Sequence, residues 1–244
     1  MDSSYPGLLA DLADEQATLD GLLARTHPDR WSTPTPAKGW DVSDTLWHLV
    51  VAERAARASL VDDRDPLAEH PEHTYGPNPG QNPGELLASW RSARAETLDA
   101  FADHDGGQRV PWGGRRMSVR SLATARLMEC WAHGLDCFAA FDEQAVDTDR
   151  LRQVAWLGWR TLAYAFAIAR QTPPAPLEQL RIELRAPSGG TWAFGPEGSE
   201  DRVTGAAGVW CRVVTHRWRD PSPPPLDVSG DLAAQAVSVA QAFL

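Results

Sequence analysis

Glu129 and His133 stand four residues apart in a stretch of helical periodicity, so their side chains leave one helix face a single turn apart. A carboxylate and an imidazole placed that way can chelate a divalent cation. His48, in Trp47-His-Leu-Val50 roughly 80 residues earlier, offers a second imidazole, at a separation typical of sites assembled between bundle helices. Two imidazoles and one carboxylate, with a position left open for water or a thiolate, make the donor set of a catalytic zinc site. The residues alone also allow a blander arrangement, a hydrogen-bonded Glu/His pair near a helix boundary and an unrelated His48 satisfied in the core. Either way, a Glu and a His beside an apolar stripe are costly to bury unless paired or metal-bound. Asp136, three after His133, and Asp44, four before His48, could orient the imidazoles, although Asp44 is better placed to cap a helix N-terminus. His70 and His73 fall in a turn-rich connection and read as solvated loop histidines.

The elements that must position these groups follow from hydrophobic spacing. Leu8, Leu12, Leu19, Leu22 and Leu23 make one stripe of a first helix, from Pro6 to about Arg25. After a Pro-rich turn, Asp41 or Ser43 caps a second helix running to Leu60, with Leu46, Leu49 and Val50 on its apolar side and the small Ala52, Ala55, Ala56 and Ser59 beyond. Residues 62–84 read as an irregular connection, Gly84 to about Phe101 as a third helix, and the Gly-rich stretch 106–116 as a second connection. A fourth helix from Val119 to Phe141 carries the stripe Ala125, Met128, Ala132, Leu135 and Ala139, with Glu129 and His133 beside it. A fifth spans Leu151 to Arg170. Beyond Gln171-Thr-Pro-Pro-Ala-Pro176 the pattern changes: Leu180 to Arg185 alternates like a half-buried strand, Pro187-Ser-Gly-Gly190 turns, and Thr191 to Phe194 begins another strand. Helices are expected from Ala206 to about Arg217 and from Asp231 to Phe243. The chain thus divides into a helical bundle over 1–172 and a small α+β domain over 173–244, a mainly α fold.

Composition narrows the partners. The 244 residues carry 23 basic against 33 acidic side chains, a formal charge of −10, which excludes the basic footprint of a nucleic-acid binder. Lys38 is the sole lysine, so Arg must supply the fixed cationic donors and a Lys-based Schiff base is disfavoured. The start lacks the basic and apolar segments of a signal peptide, and no 18-residue apolar run occurs, so the reading is cytoplasmic with no membrane partner. Cys130, Cys137 and Cys211 have no metal or disulfide spacing, and Cys130 and Cys137 read as core. Of the 11 tryptophans, Trp90, Trp156 and Trp159 fit apolar stripes. Trp40, Trp47 and Trp131 flank the ligand candidates in sequence and could wall the site, core packing being the simpler role. Trp112 could belong to a lid.

Trp40-Asp-Val-Ser-Asp-Thr-Leu-Trp-His-Leu49, followed about 80 residues later by Glu129-Cys-Trp-Ala-His133, resembles the mycothiol-dependent maleylpyruvate isomerase family, one branch of the DinB-like metal-binding bundles. The resemblance implies a DinB-like four-helix bundle holding a divalent metal, usually zinc, through a His on the second helix and a Glu-x-x-x-His pair on the fourth, here His48, Glu129 and His133. Val203-Thr-Gly-Ala206, Thr215-His-Arg217 and Leu226-Asp-Val-Ser-Gly-Asp231 resemble the sterol-carrier-like α/β domain that comes after the bundle. That domain implies a functional arginine, for which Arg217 and Arg212 are the candidates; Arg54, two turns after His48, ranks below them. The implied chemistry uses mycothiol or another low-molecular-weight thiol, adding to an electrophilic small-molecule substrate and either leaving after isomerisation or staying as an S-transfer product. The alternative from the same bundles is a non-catalytic module that binds or sequesters a small molecule.

Overall fold

The computed structural model describes residues 4–70 and 76–242, and contact density divides the chain into two units, Met1–Ala145 and Val146–Leu244. The first is a four-helix bundle of α1 (Tyr5–Arg25), α2 (Val42–Asp62), α4 (Pro83–Ala102) and α5 (Val119–Ala140), with a short helix α3 (Pro66–Glu69) between α2 and α4. Each long helix begins at a side-chain cap. Ser4 receives the Gly7 N–H at 3.1 Å, and Ser118 receives the Ser121 N–H at 3.1 Å. Asp41 and Asp44 form a reciprocal capping box at the head of α2, and Asn82 and Glu85 form one at the head of α4. The leucine stripe of α1 is buried at all five expected positions, and its C-terminal half packs with Leu46, Leu49, Val50, Leu86 and Trp90. Ala52, Ala55, Ala56 and Ser59 are buried too.

The Gly-rich connection proves more ordered than its composition suggested. Arg109–Trp112 (β1) and Arg115–Ser118 (β2) pair as an antiparallel hairpin, turning at Gly113 and Gly114, both at positive φ (59° and 78°), as a two-residue turn requires. The Asp65 carboxylate receives the N–H groups of Gly113 and Gly114 at 3.0 and 2.7 Å, tying the turn to the cap of α3. Trp112 is therefore a buried strand residue rather than part of a lid loop. On α5 the expected stripe is displaced. Ala139 is exposed and Ala125 and Leu135 are half-buried, whereas Ala123, Leu127, Cys130 and Cys137 are buried.

Tyr5 closes the start of α1 against the end of α4, its hydroxyl donating to Phe101 O at 2.8 Å. Burial pushes its phenol up to about 12, with Arg120 opposing. An acid whose folded value is raised stabilises the fold fully below its unfolded value near 10, and that contribution is lost as pH rises through about 12. Tyr5→Phe is expected to flatten this alkaline decline in urea titrations; an unaltered slope would assign the decline to other groups.

In the second unit, α6 (Leu151–Arg160) and α7 (Leu162–Ile168) replace the single helix expected to Arg170. The break falls at Thr161, whose backbone leaves the helical region (φ −90°, ψ 1°) and whose Oγ1 donates toward Leu157 O and Gln241 O. The sheet has the order β4-β3-β5-β6, from Arg181–Arg185 (β3), Thr191–Phe194 (β4), Arg202–Ala206 (β5) and Leu226–Ser229 (β6). β3 runs antiparallel to β4 and parallel to β5, and β5 runs antiparallel to β6. Helices α8 (Ala207–Val214) and α9 (Asp231–Val239) complete the unit. The division at Ala145 rather than near 172 reflects α6, which packs on α8. Gly158 abuts Val214, Trp210 Nε1 donates to Ala155 O at 3.2 Å, and Cys211 is buried against Leu151. Trp156 and Trp159 are half-buried rather than core, with Trp159 stacked on Phe194.

Candidate metal centre

His48 lies in the second turn of α2, and Glu129 and His133 lie one turn apart on α5. The antiparallel packing of these two helices makes the side chains converge. His48 Nε2 and His133 Nε2 each stand 3.4 Å from Glu129 Oε2, and the three ligand atoms all lie within 4.8 Å of one another. Two donors bound to one zinc ion at about 2.0–2.1 Å with a tetrahedral angle stand roughly 3.4 Å apart, so the spacing suits a shared ion. The donor chemistry fits as well, with two imidazole nitrogens and one carboxylate oxygen.

Asp136 is almost wholly buried, and its Oδ2 lies 3.2 Å from His133 Nδ1. A carboxylate that close favours a proton on Nδ1 electrostatically, and Nε2 is the nitrogen that faces Glu129. Asp44 has a different task. Its Oδ2 receives the Asp41 N–H at 3.3 Å and its Oδ1 receives the Asn78 N–H at 2.8 Å, so it caps α2.

Trp40 covers the imidazoles. The Thr35 N–H donates to Trp40 O at 2.8 Å, and Gly39 takes a φ of 85° that suits a residue without Cβ, closing the turn that seats the indole just ahead of α2. The Trp40 centroid lies 5.0 Å from His48 and 5.7 Å from His133, and the two imidazoles are 4.8 Å apart. Both imidazoles are buried, while the Glu129 side chain keeps 23 % of its exposure, so solvent reaches the centre on the carboxylate side. Burial acts to raise the Glu129 carboxyl, but hydrogen bonds and charge from His133 and His48 outweigh it and hold the group well below the usual carboxylate range.

The remaining candidates sort by their contacts. Trp131 is buried, and Trp47 packs against the core under the guanidinium of exposed Arg54, 5.7 Å from its ring. His70 is exposed at the end of α3, and His73 lies outside the described residues. Burial pushes the thiols of Cys130, Cys137 and Cys211 up, which keeps them protonated. In the second unit, Arg212 makes a two-pronged pair with Asp147 at 2.8 Å on each arm. Arg217 lies beyond the end of α8, and its Nη1 donates to Thr215 O at 2.7 Å.

One buried cluster had no sequence signal. Arg126 Nε donates to Glu53 Oε1 at 3.3 Å, and Gln16 Nε2 donates to the same oxygen at 3.3 Å. Thr97 Oγ1 lies 3.0 Å from Glu53 O, so α1, α2, α4 and α5 all meet there. In a chain this rich in Arg and Glu, nothing in the spacing marks residues 73 apart as partners.

Comparison with known proteins agrees with this architecture. Among the described residues, no helix is long and apolar enough to cross a membrane. Two Mycobacterium tuberculosis proteins, Uncharacterized protein Rv0036c (strain ATCC 25618 / H37Rv) and Uncharacterized protein MT0041 (strain CDC 1551 / Oshkosh), are each 39% identical over 249 residues, covering 98% of this chain and 96% of theirs. Crystal structures of the mycothiol-dependent maleylpyruvate isomerase and of a histidine-to-alanine mutant of it share the fold, with TM-scores of 0.60 and 0.61 at 18% identity, over 91% of this chain and 96% of theirs. Residues 12–138, which include all three converging side chains, match the family described as the mycothiol maleylpyruvate isomerase N-terminal domain. On this match and the near full-length relatives, the chain belongs to the mycothiol maleylpyruvate isomerase family.

Proposed function

We propose that this chain is a cytoplasmic, divalent-metal-dependent enzyme that uses a low-molecular-weight thiol, mycothiol or a relative of it, to attack an electrophilic small molecule. The observation that carries the reading is the convergence of His48 Nε2, His133 Nε2 and Glu129 Oε2, three donors of the kind that hold a catalytic zinc with a position left open. A zinc ion bound there would supply a Lewis acid that favours the thiolate of a coordinated thiol near neutral pH. The protein's own groups do the positioning. His48, Glu129 and His133 would hold the ion, the Asp136 carboxylate would support the His133 imidazole electrostatically, and Trp40 covers the imidazole side.

The reaction class is set by thiol chemistry. The sulfur adds to an activated double bond, the resulting single bond rotates, and expulsion of the same thiol regenerates the double bond in its other geometry; in S-transfer the thioether is kept. Neither route needs an oxidant. An anionic substrate needs a fixed fork of N–H donors, and we carry Arg217 forward for that role. The Asp147 pair supports a structural part for Arg212.

Elemental analysis of the purified chain, followed by turnover assays with and without mycothiol, tests the proposal. Metal-containing protein with thiol-dependent conversion of a cis-alkene diacid, or with a thioether product, supports it, and Arg217→Ala should then raise KM at unchanged metal content. Protein that takes up no metal, or that binds an apolar ligand equally well with and without metal and leaves it unchanged, favours a sequestering role. Asp136→Asn is expected to weaken zinc affinity by about 10–100-fold, measured against a chromogenic chelator, because the negative charge beside the His133 imidazole is removed. Unchanged affinity would remove Asp136 from the site.

A further inference from the structure

The buried Glu53–Arg126 pair lies next to the metal ligands along the same two helices. Glu53 comes five residues after His48 on α2, and Arg126 precedes Glu129 by three on α5, as antiparallel packing demands. Glu53 and Arg126 are 1% and 2% exposed, and Gln16 and Thr97 are fully buried. Among the described residues, Glu53 Oε2, Arg126 Nη2 and Gln16 Oε1 find no hydrogen-bond partner. Sliding α2 along α5 by one turn, about 5.4 Å, would leave a carboxylate and a guanidinium each buried alone. On that part of α2 the other buried residues between Val50 and Leu60 are the small Ala52, Ala55, Ala56 and Ser59, of which Ser59 alone adds a polar tie, its hydroxyl donating to Pro111 O.

We propose that Glu53 and Arg126 are positioning residues that set the register of α2 against α5 and thereby bring His48 to Glu129 and His133. Their pairing selects one alignment among those the small residues would tolerate, a use of buried charge known from helix pairs. The functional weight of this inference rests on the metal reading above, whereas its geometry does not.

The test uses the full chain carrying Glu53→Leu together with Arg126→Met, which replaces the pair by apolar groups of similar length. Two readouts separate register from stability. In metal-free protein the imidazoles of His48 and His133, with centroids 4.8 Å apart, should give a ring-proton NOE in the parent. In Co2+ titrations the parent should show one visible spectrum that His48→Ala abolishes. The double variant is expected to keep its helical circular dichroism and unfold at or above the parental midpoint, to lose the NOE, and to bind Co2+ at least about ten-fold more weakly. A folded double variant with the parental NOE and Co2+ affinity overturns the inference, as does a parent without the NOE. If the double variant does not fold, Arg126→Lys takes its place, since it keeps the charge but not the planar donor geometry. It should weaken Co2+ binding and alter the NOE at near-parental stability, and a folded Arg126→Lys unchanged in both overturns the inference. A parent that shows the NOE yet binds no Co2+ sinks the metal reading alone, and the NOE then decides the register.

Discussion

His48→Ala is expected to take the bound metal of the purified protein from about one ion per chain to background while leaving a folded bundle. The remaining Glu129 and His133 would offer only a two-point chelate on α5, without the one candidate donor that α2 contributes. Loss of a directly bound imidazole should exceed the roughly 10–100-fold fall in affinity expected for loss of an outer partner. Glu129→Ala should be at least as severe, because its carboxylate oxygen is the atom on which both imidazoles converge at 3.4 Å. The apo fold should persist, since the core is carried by the leucines and Trp90 rather than by the ligands. Elemental analysis and circular dichroism on the same samples check both halves. Equal metal in parent and variant would place the ion elsewhere.

The largest stability effect is expected from Arg126→Met alone, a loss of about 3–5 kcal/mol by urea unfolding, because Glu53 is left buried without its counter-charge. The pH dependence gives a sharper signature. Burial already raises the Glu53 carboxyl, and Arg126 is the strongest influence opposing that rise. Removing Arg126 raises it further. A carboxyl raised in the folded state stabilises the fold below its unfolded value, and that stability is lost as pH rises through the folded value. The deficit of Arg126→Met should therefore be smallest in acid and grow toward neutral pH. A deficit that does not vary with pH would mean that lost packing, and not the stranded carboxylate, causes it.

The convergence of His48, Glu129 and His133 was legible further than most of its surroundings, through the family resemblance more than through spacing alone. A four-residue spacing on a helix survives translation into three dimensions almost unchanged, so Glu129 and His133 needed only the second helix to deliver His48. The same arithmetic failed for the buried stripe of α5. That helix is covered over most of its circumference, so no single period marks its inner face, and Arg126 and His133 are buried alongside Leu127 and Cys130. The Trp40 wall was visible only as proximity in sequence, because the turn at residues 35–40 decides whether the indole reaches the imidazoles. Gly113-Gly114 signals a two-residue hairpin, yet the run of glycines around it made the stretch read as a loop. The break at Thr161 is preceded only by Gly158, a weak signal inside an otherwise helical pattern, and the Thr161 hydroxyl also reaches a carbonyl 80 residues away.

The division at Ala145 bears on how such a chain can change over evolutionary time. His48, Glu129, His133, Asp136 and Trp40 all fall within Met1–Ala145, as do Glu53 and Arg126. The donor set and its supports are thus inherited together, as one cassette. Substitutions or recombination confined to Val146–Leu244 would leave every one of those residues unchanged in identity.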